Sequence, residues 1–276
     1  MPIVTNQGAR IYWDEQGEGD PVLLIMGLGW ASPLWHRSRP VLSARYRTIA
    51  FDNRGVGQSD VPPGPYPIAL MAADAAAVLD AAGVENAHLF GVSMGGMIAQ
   101  EFALTYPKRV RSLILGCTAA GGPTAVQAEP EVLEVLTRRG MSLEEYLGAI
   151  NPYIYDMGTP RERVEEDMVL RRRWWPNPAG QLAQLQGIMA WEAYSRLNQI
   201  RVPTLVIHGE SDQLVPPANG RLIAGRIPNA KLVLIARASH ILATDQPHAT
   251  HQAMLGFLSE ERTVVTADST PGTETR

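Results

Sequence analysis

The chain has 276 residues, 45% of them hydrophobic and 19% charged, with a net charge of −4. That is enough for one large domain with a substantial core, and it offers no basic field for nucleic acid or an anionic membrane. No apolar run approaches the ~20 residues of a membrane span, the N-terminus lacks the charged and apolar regions of a signal peptide, and the single cysteine, Cys117, excludes an intrachain disulfide; the expectation is a cytoplasmic protein, monomer or homodimer, whose partner is a small molecule.

Two short strand-like segments, 3–5 and 10–14, flank the turn residues Asn6 to Gly8 and suggest a hairpin at a sheet edge. Residues 21–26 form a continuous apolar run, as suits a strand buried on both faces of a parallel sheet. It ends in Gly27-Leu28-Gly29-Trp30. After a polar loop and a short helix near 40–44, a second strand, 46–52, runs into a glycine-punctuated turn, 53–59. That turn is not a dinucleotide fingerprint: it lacks G-x-G-x-x-G, and no helix opens at its glycines. A helix is predicted over 68–82, with Leu70, Ala73, Ala77, Val78 and Ala81 at apolar positions and Gly83 as the stop.

The next apolar run, 87–90, ends abruptly at Gly91. Gly91-Val92-Ser93-Met94-Gly95 follows, and then a helical pattern runs to Tyr106. This is G-x-S-x-G between a strand and a helix, the context that gives the motif meaning. A Cβ at Gly91 or Gly95 would crowd so sharp a turn. The turn pushes the Ser93 hydroxyl clear of the backbone at a helix N-terminus, where developing negative charge is favoured.

A strand over 110–115 precedes Cys117, which reads as a small core residue rather than a nucleophile. From 119 to 199 no strand signal appears. Ser142/Glu145 and Thr159/Glu162 have the spacing of capping boxes, and Asn177-Pro178 opens a further helix. The expected organisation is an α/β core, 1–118 and 200–262, with a helical cap, 119–199, over the C-terminal edge of its sheet. Alternation resumes with strand 203–208, helix 217–226, strand 231–236 and helix 247–260. Residues 263–276 are polar and rich in threonine and are expected to be disordered.

A serine hydroxyl needs a base within hydrogen-bond reach, and the base needs an orienting acid. In an open α/β sheet these groups belong in loops after strand C-termini. The loop after His208 offers Glu210 and Asp212; Asp212 is preferred, four residues past the strand end. Among six histidines, His240 lies in a loop after a late strand, while His36 is the rival base. His88 reads as a core residue, His208 as a loop prop, and His248 and His251 as helix positions. Ser93, Asp212 and His240 also fall in the order expected for a nucleophile elbow. Two backbone N–H donors must face the oxyanion. Met94, next to the nucleophile, should supply one and Leu28 the other.

These residues carry a family resemblance. Gly27-Leu28-Gly29, the Asp52 to Ser59 turn, the Ser93 motif, His208-Gly209 with Asp212, and His240 with Asp245 and Pro247 occur in the order of the α/β-hydrolase superfamily. The chain resembles it over roughly 2–260, in the branch with a helical cap between the sixth and seventh strands. The resemblance implies an eight-stranded, mostly parallel sheet flanked by helices and a Ser93–Asp212–His240 triad. Three positions depart from the usual pattern. Met26 stands where a histidine commonly helps hold the oxyanion loop, Ser239 where glycine is common, and Asp245 where glutamate is common.

Serine at the elbow makes acyl transfer the expected chemistry, with no cofactor or metal. Gly27, Leu28, Trp30, Met94 and Met97 suggest an apolar acyl pocket, and Trp174, Trp175 and Trp191, with Tyr153, Tyr155 and Met189, are the cap's candidates for touching substrate, some of which must instead form its own core. Arg171-Arg172-Arg173 reads first as a solvated helix face and second as a carboxylate site. A carboxylic-ester hydrolase for small or medium esters is the leading expectation. An enol-lactone hydrolase for an acidic ring-cleavage product, a cofactor-free perhydrolase and a non-catalytic binding protein are the alternatives.

Overall fold

The computed structural model describes residues 2–138 and 140–268. Strands β1 (Ile3–Asn6) and β2 (Ala9–Gln16) form the expected edge hairpin. They are followed by β3 (Pro21–Ile25), α1 (Arg39–Ser43), β4 (Arg47–Phe51), α2 (Ile68–Ala81), β5 (Ala87–Val92), α3 (Met94–Thr105) and β6 (Val110–Gly116). An insertion of four helices comes next: α4 (Pro130–Thr137), α5 (Leu143–Ile154), α6 (Arg161–Arg173) and α7 (Pro178–Met189). The chain closes with β7 (Thr204–Gly209), α8 (Ala218–Arg226), β8 (Lys231–Ile235), α9 (Leu242–Asp245) and α10 (Pro247–Asp268). No helix of the described residues is long and apolar enough to cross a membrane.

The eight strands form one sheet in the order β1-β2-β4-β3-β5-β6-β7-β8. Only the pairings of β1 with β2 and of β2 with β4 are antiparallel. The apolar runs are buried on both faces because alternate residues enter different cores. Leu23 and Ile25 of β3 pack with α2 and α3, while Val22 and Leu24 pack with Trp35, Leu42 and the α10 residues Met254 and Phe257. His88 is buried in β5 with its Nδ1 2.7 Å from Ser112 Oγ, as a core histidine should be.

Of the three helix starts expected in the insertion, two form their caps and one does not. Ser142 and Glu145 make both bonds of a capping box, and Asn177 Oδ1 accepts from Ala179 N at 2.9 Å. The expected box at Thr159 and Glu162 does not form. Helix α6 begins after Pro160, and the Thr159 hydroxyl is engaged by Asp245 Oδ1 at 2.6 Å. The expected end of the last helix, at residue 260, is also corrected. Helix α10 continues to Asp268, so residues 263–268 are helical; no proline follows Pro247 until Pro271 to stop a helix already nucleated. Residues 269–276 of the expected tail lie outside the described residues.

Candidate active site

Every group expected to do chemistry sits at the C-terminal edge of the parallel strands: Gly27 after β3, Ser93 after β5, Asp212 after β7 and His240 after β8. The helical insertion leaves this same edge, between β6 and β7.

Ser93 has φ 55° and ψ −123°, a region that costs a non-glycine residue about 1–3 kcal/mol. The surrounding structure holds it there. Its N–H donates to Gly116 O at 2.8 Å, and its carbonyl accepts from Thr118 Oγ1 at 2.7 Å. A Cβ on Gly91 would collide with Gly95, and one on Gly95 with the Ile25 carbonyl, so the elbow closes only with glycine at both. Gly27 lies against Ser93: a Cβ there would stand 3.1 Å from Ser93 Cβ.

Asp212 is buried, and both its oxygens are used. Oδ1 accepts from Leu214 N at 3.0 Å and Val215 N at 2.9 Å. Oδ2 lies 2.9 Å from His240 Nδ1 and 3.3 Å from His208 Nε2. Burial pushes the Asp212 carboxyl up, but the charge of His240 and the hydrogen bonds from His208 and His240 outweigh it and hold the group well below the usual carboxylate range. A carboxylate can only accept, so Nδ1 of His240 carries the proton and Nε2 is left free as a base. His208 is fixed likewise: its Nε2 lies 2.7 Å from Val215 O and must donate. The loop-prop reading of His208 therefore holds, and its prop includes the acid. Ser93 and His240 line one cavity, and no hydrogen bond joins Ser93 Oγ to the imidazole in this geometry.

Cys117 Sγ, Asp212 and His240 bring ligand-type atoms within 4.8 Å of one another. The set is ill suited to a cation. Both Asp212 oxygens already accept from N–H donors, and burial, with the nearby Asp212 charge, pushes the Cys117 thiol well up. A protonated thiol beside a fully engaged carboxylate offers a cation no free anionic ligand.

The loop 27–30 is tied down without the histidine commonly seen before it. Asn53 Nδ2 donates to Met26 O at 3.0 Å, and Gln184 Oε1 of α7 accepts from Gly29 N at 2.9 Å. Gln184 Nε2 in turn donates to Arg54 O at 2.8 Å, tying loop, turn and insertion together. Among the hydrogen bonds of the described residues, none uses the Leu28 or Met94 N–H. Ser239, the second departure, donates its hydroxyl to Tyr153 O at 3.1 Å, and Ile241 N donates to Ile154 O at 3.1 Å. The C-terminal end of α5 thus holds the His240 loop on both sides. The third departure, Asp245, accepts from Ser239 N at 2.6 Å.

The cavity has a volume of about 440 Å³. Gly27, Leu28, Trp30, Met94 and Met97 line it, as does Met189. The three tryptophans expected from the insertion do not. Trp191 is buried away from the cavity, its Nε1 donating to Glu101 Oε2 of α3 at 2.8 Å, because a buried indole needs an acceptor. Trp175 packs edge-on against Tyr146 at 5.5 Å, and Trp174 lies beside the Arg173 guanidinium at 5.8 Å. The insertion lines the cavity instead with Tyr146, Ile150 and Ile154, one face of α5 at i, i+4 and i+8. That stripe was readable from spacing; Gln184 carried no comparable signal.

A family model described as alpha/beta hydrolase fold matches residues 20–146 and 168–247. The chain is 33% identical to a protein named as a carbamate hydrolase from Azorhizobium caulinodans, over 94% of this chain and 99% of that one. It is likewise 33% identical to a poly(3-hydroxyalkanoate) depolymerase from Ectopseudomonas oleovorans, over 88% and 85%. Among solved structures, the enol-lactonase from Burkholderia xenovorans superposes with a TM-score of 0.83 at 26% identity, covering 94% of this chain and 100% of that one. Elbow, sheet order and matched sequence agree, and the chain belongs to the α/β-hydrolase family.

Proposed function

We propose that the protein hydrolyses small or medium carboxylic esters through an acyl-enzyme. The carrying observation is the Asp212–His240 hydrogen bond of 2.9 Å on the wall of the cavity that also receives Ser93. His240 Nε2 takes the Ser93 proton as Oγ attacks the ester carbon, and the Leu28 and Met94 N–H groups take the developing oxyanion. The imidazolium returns the proton to the leaving alcohol. Water, activated by the same nitrogen, then releases the acid. The helical insertion serves as a cap that walls the site. Similar proteins are hydrolases named for a carbamate, a polyester and an enol lactone, and none of these is carried over as the substrate. The cavity, at about 440 Å³, suits a small or medium acyl group.

The test is turnover of p-nitrophenyl acetate and butyrate by wild type, Ser93→Ala and Asp212→Asn. Wild type turns over, Ser93→Ala abolishes it, and Asp212→Asn lowers kcat by about 10⁴ because the tautomer is lost. Turnover undiminished in Ser93→Ala sinks the assignment. Phenylmethylsulfonyl fluoride should add its sulfonyl group to Ser93, read by peptide mass.

A further inference from the structure

The last turn of α6 carries three consecutive arginines with three different surroundings. Arg172 is exposed and pairs at two points with Glu144, at 2.7 and 2.8 Å. Arg173 is exposed beside Trp174. Arg171 is 5% exposed and lines the same cavity as Ser93 and His240. The solvated-face reading therefore holds for two of the three and fails for Arg171, because a helix turns about 100° per residue and carries this one inward.

The Arg171 guanidinium is fixed but not neutralised. Its Nη1 donates to Asn151 Oδ1 at 2.7 Å, and its Cζ lies 5.1 Å from the centre of the Trp30 ring. Among the described residues, no carboxylate is within ion-pair distance of it. The acid one turn earlier, Asp167, is held by Arg37 at 2.9 Å, by Thr244 Oγ1 at 2.6 Å and by the Tyr155 hydroxyl at 3.1 Å, with His36 Nε2 at 3.1 Å. A guanidinium has five N–H donors; Asn151 Oδ1 takes one, Met168 Sδ lies 3.9 Å from the same nitrogen, and the Tyr155 hydroxyl is a further neutral partner, so no anion among them answers the charge. A buried cation without a counter-charge is destabilising unless something in the cavity supplies the anion.

The geometry points to Arg171 as the recognition site for a carboxylate carried by the substrate. The substrate class is then an ester or lactone that keeps one free carboxylate, such as a dicarboxylic acid monoester. The inference rests on Ser93 as the nucleophile. A single guanidinium matches one negative charge, and its planar fork matches a carboxylate in two-point contact. The rest of the wall favours the intervening chain being apolar. Trp30 belongs to the loop that carries Leu28, so one segment both orients the cation and, on this reading, supplies the oxyanion donor.

The test compares monoethyl with diethyl esters of the dicarboxylic acids from succinate to suberate, on wild type and Arg171→Gln. At the best chain length, wild type should prefer the monoester in kcat/KM by about tenfold or more, mostly through KM, and Arg171→Gln should erase most of that ratio. Equal kcat/KM for both esters at every length in wild type overturns the proposal. Calorimetry on Ser93→Ala needs neither turnover nor a change at Arg171. There a dicarboxylate should bind about tenfold more tightly than the monocarboxylate one carboxyl shorter, since a carboxylate at the oxyanion site is common to both. Equal affinities overturn the carboxylate site whatever the kinetics show. Hydrolysis of neither ester, with tight dicarboxylate binding retained, counts against Ser93 and leaves Arg171 supported.

Discussion

Asp245 reaches His240 through one backbone bond. It accepts from Ser239 N and Thr159 Oγ1, both at 2.6 Å, and from Asp156 N at 3.3 Å. Burial nevertheless pushes its pKa up to about 6, the hydrogen bonds opposing only in part. A carboxyl raised above its unfolded value of about 3.9 favours the native state when protonated. Its contribution is full below about pH 4 and is lost as pH rises through about 6. The shift corresponds to at most about 3 kcal/mol. Melting wild type and Asp245→Asn side by side from pH 4.5 to 8 isolates it. Wild type should lose ground to the variant as pH rises, and a difference in Tm that ignores pH would contradict the account. His208 shows the same economy of space: a Cβ on Gly220 would stand 2.8 Å from its Nδ1, so the ring that braces Asp212 depends on a glycine of α8.

Helix α7 is the element that joins the insertion to the loop 27–30. It can lie so close because Gly180 and Gly187, two turns apart, face the core. A Cβ on Gly180 would collide with the Gly55 carbonyl, and one on Gly187 with the Tyr66 carbonyl. That approach brings Gln184 between Gly29 N and Arg54 O. Gln184→Leu keeps the volume and leaves both backbone groups unpaired in a buried site. On a neutral p-nitrophenyl ester it should lower kcat by about tenfold with little change in KM, since the loop it supports acts in the transition state. An unchanged kcat would show that Asn53 alone holds the loop. Why the arginines of α6 could not be sorted beforehand is also clear at this scale. Three identical side chains in a row carry no hydropathy contrast, and only the helix's rotation on the core decides which one turns inward.

At the scale of the molecule, insertion and core are bolted together at separate points. Glu101 of α3 takes Trp191 Nε1 at 2.8 Å and Arg196 Nη2 at 2.8 Å, while Arg37 holds Asp167 at 2.9 Å and Arg163 O at 2.8 Å. Urea unfolding should therefore give coincident midpoints by far-ultraviolet circular dichroism and tryptophan fluorescence. Two separated transitions would mean that the insertion unfolds by itself. The sheet and the loops bearing Ser93, Asp212 and His240 were legible because apolar runs and special turn residues are local signals. The insertion's interior was not. Trp191 looked like a pocket wall, and what decides its place is Glu101, ninety positions away in the chain. Helix α10 runs past its expected end at residue 260 for the opposite reason, since polar composition does not stop a helix that lacks a breaker. One feature of α5 has a consequence for how such an enzyme diversifies. Tyr153 and Ile154 hold the His240 loop with carbonyl oxygens, which every amino acid possesses, while Tyr146 and Ile150 meet the cavity with side chains. Selection, natural or in the laboratory, can therefore exchange those two side chains for others and reshape the cavity, while the placement of His240 is inherited unaltered.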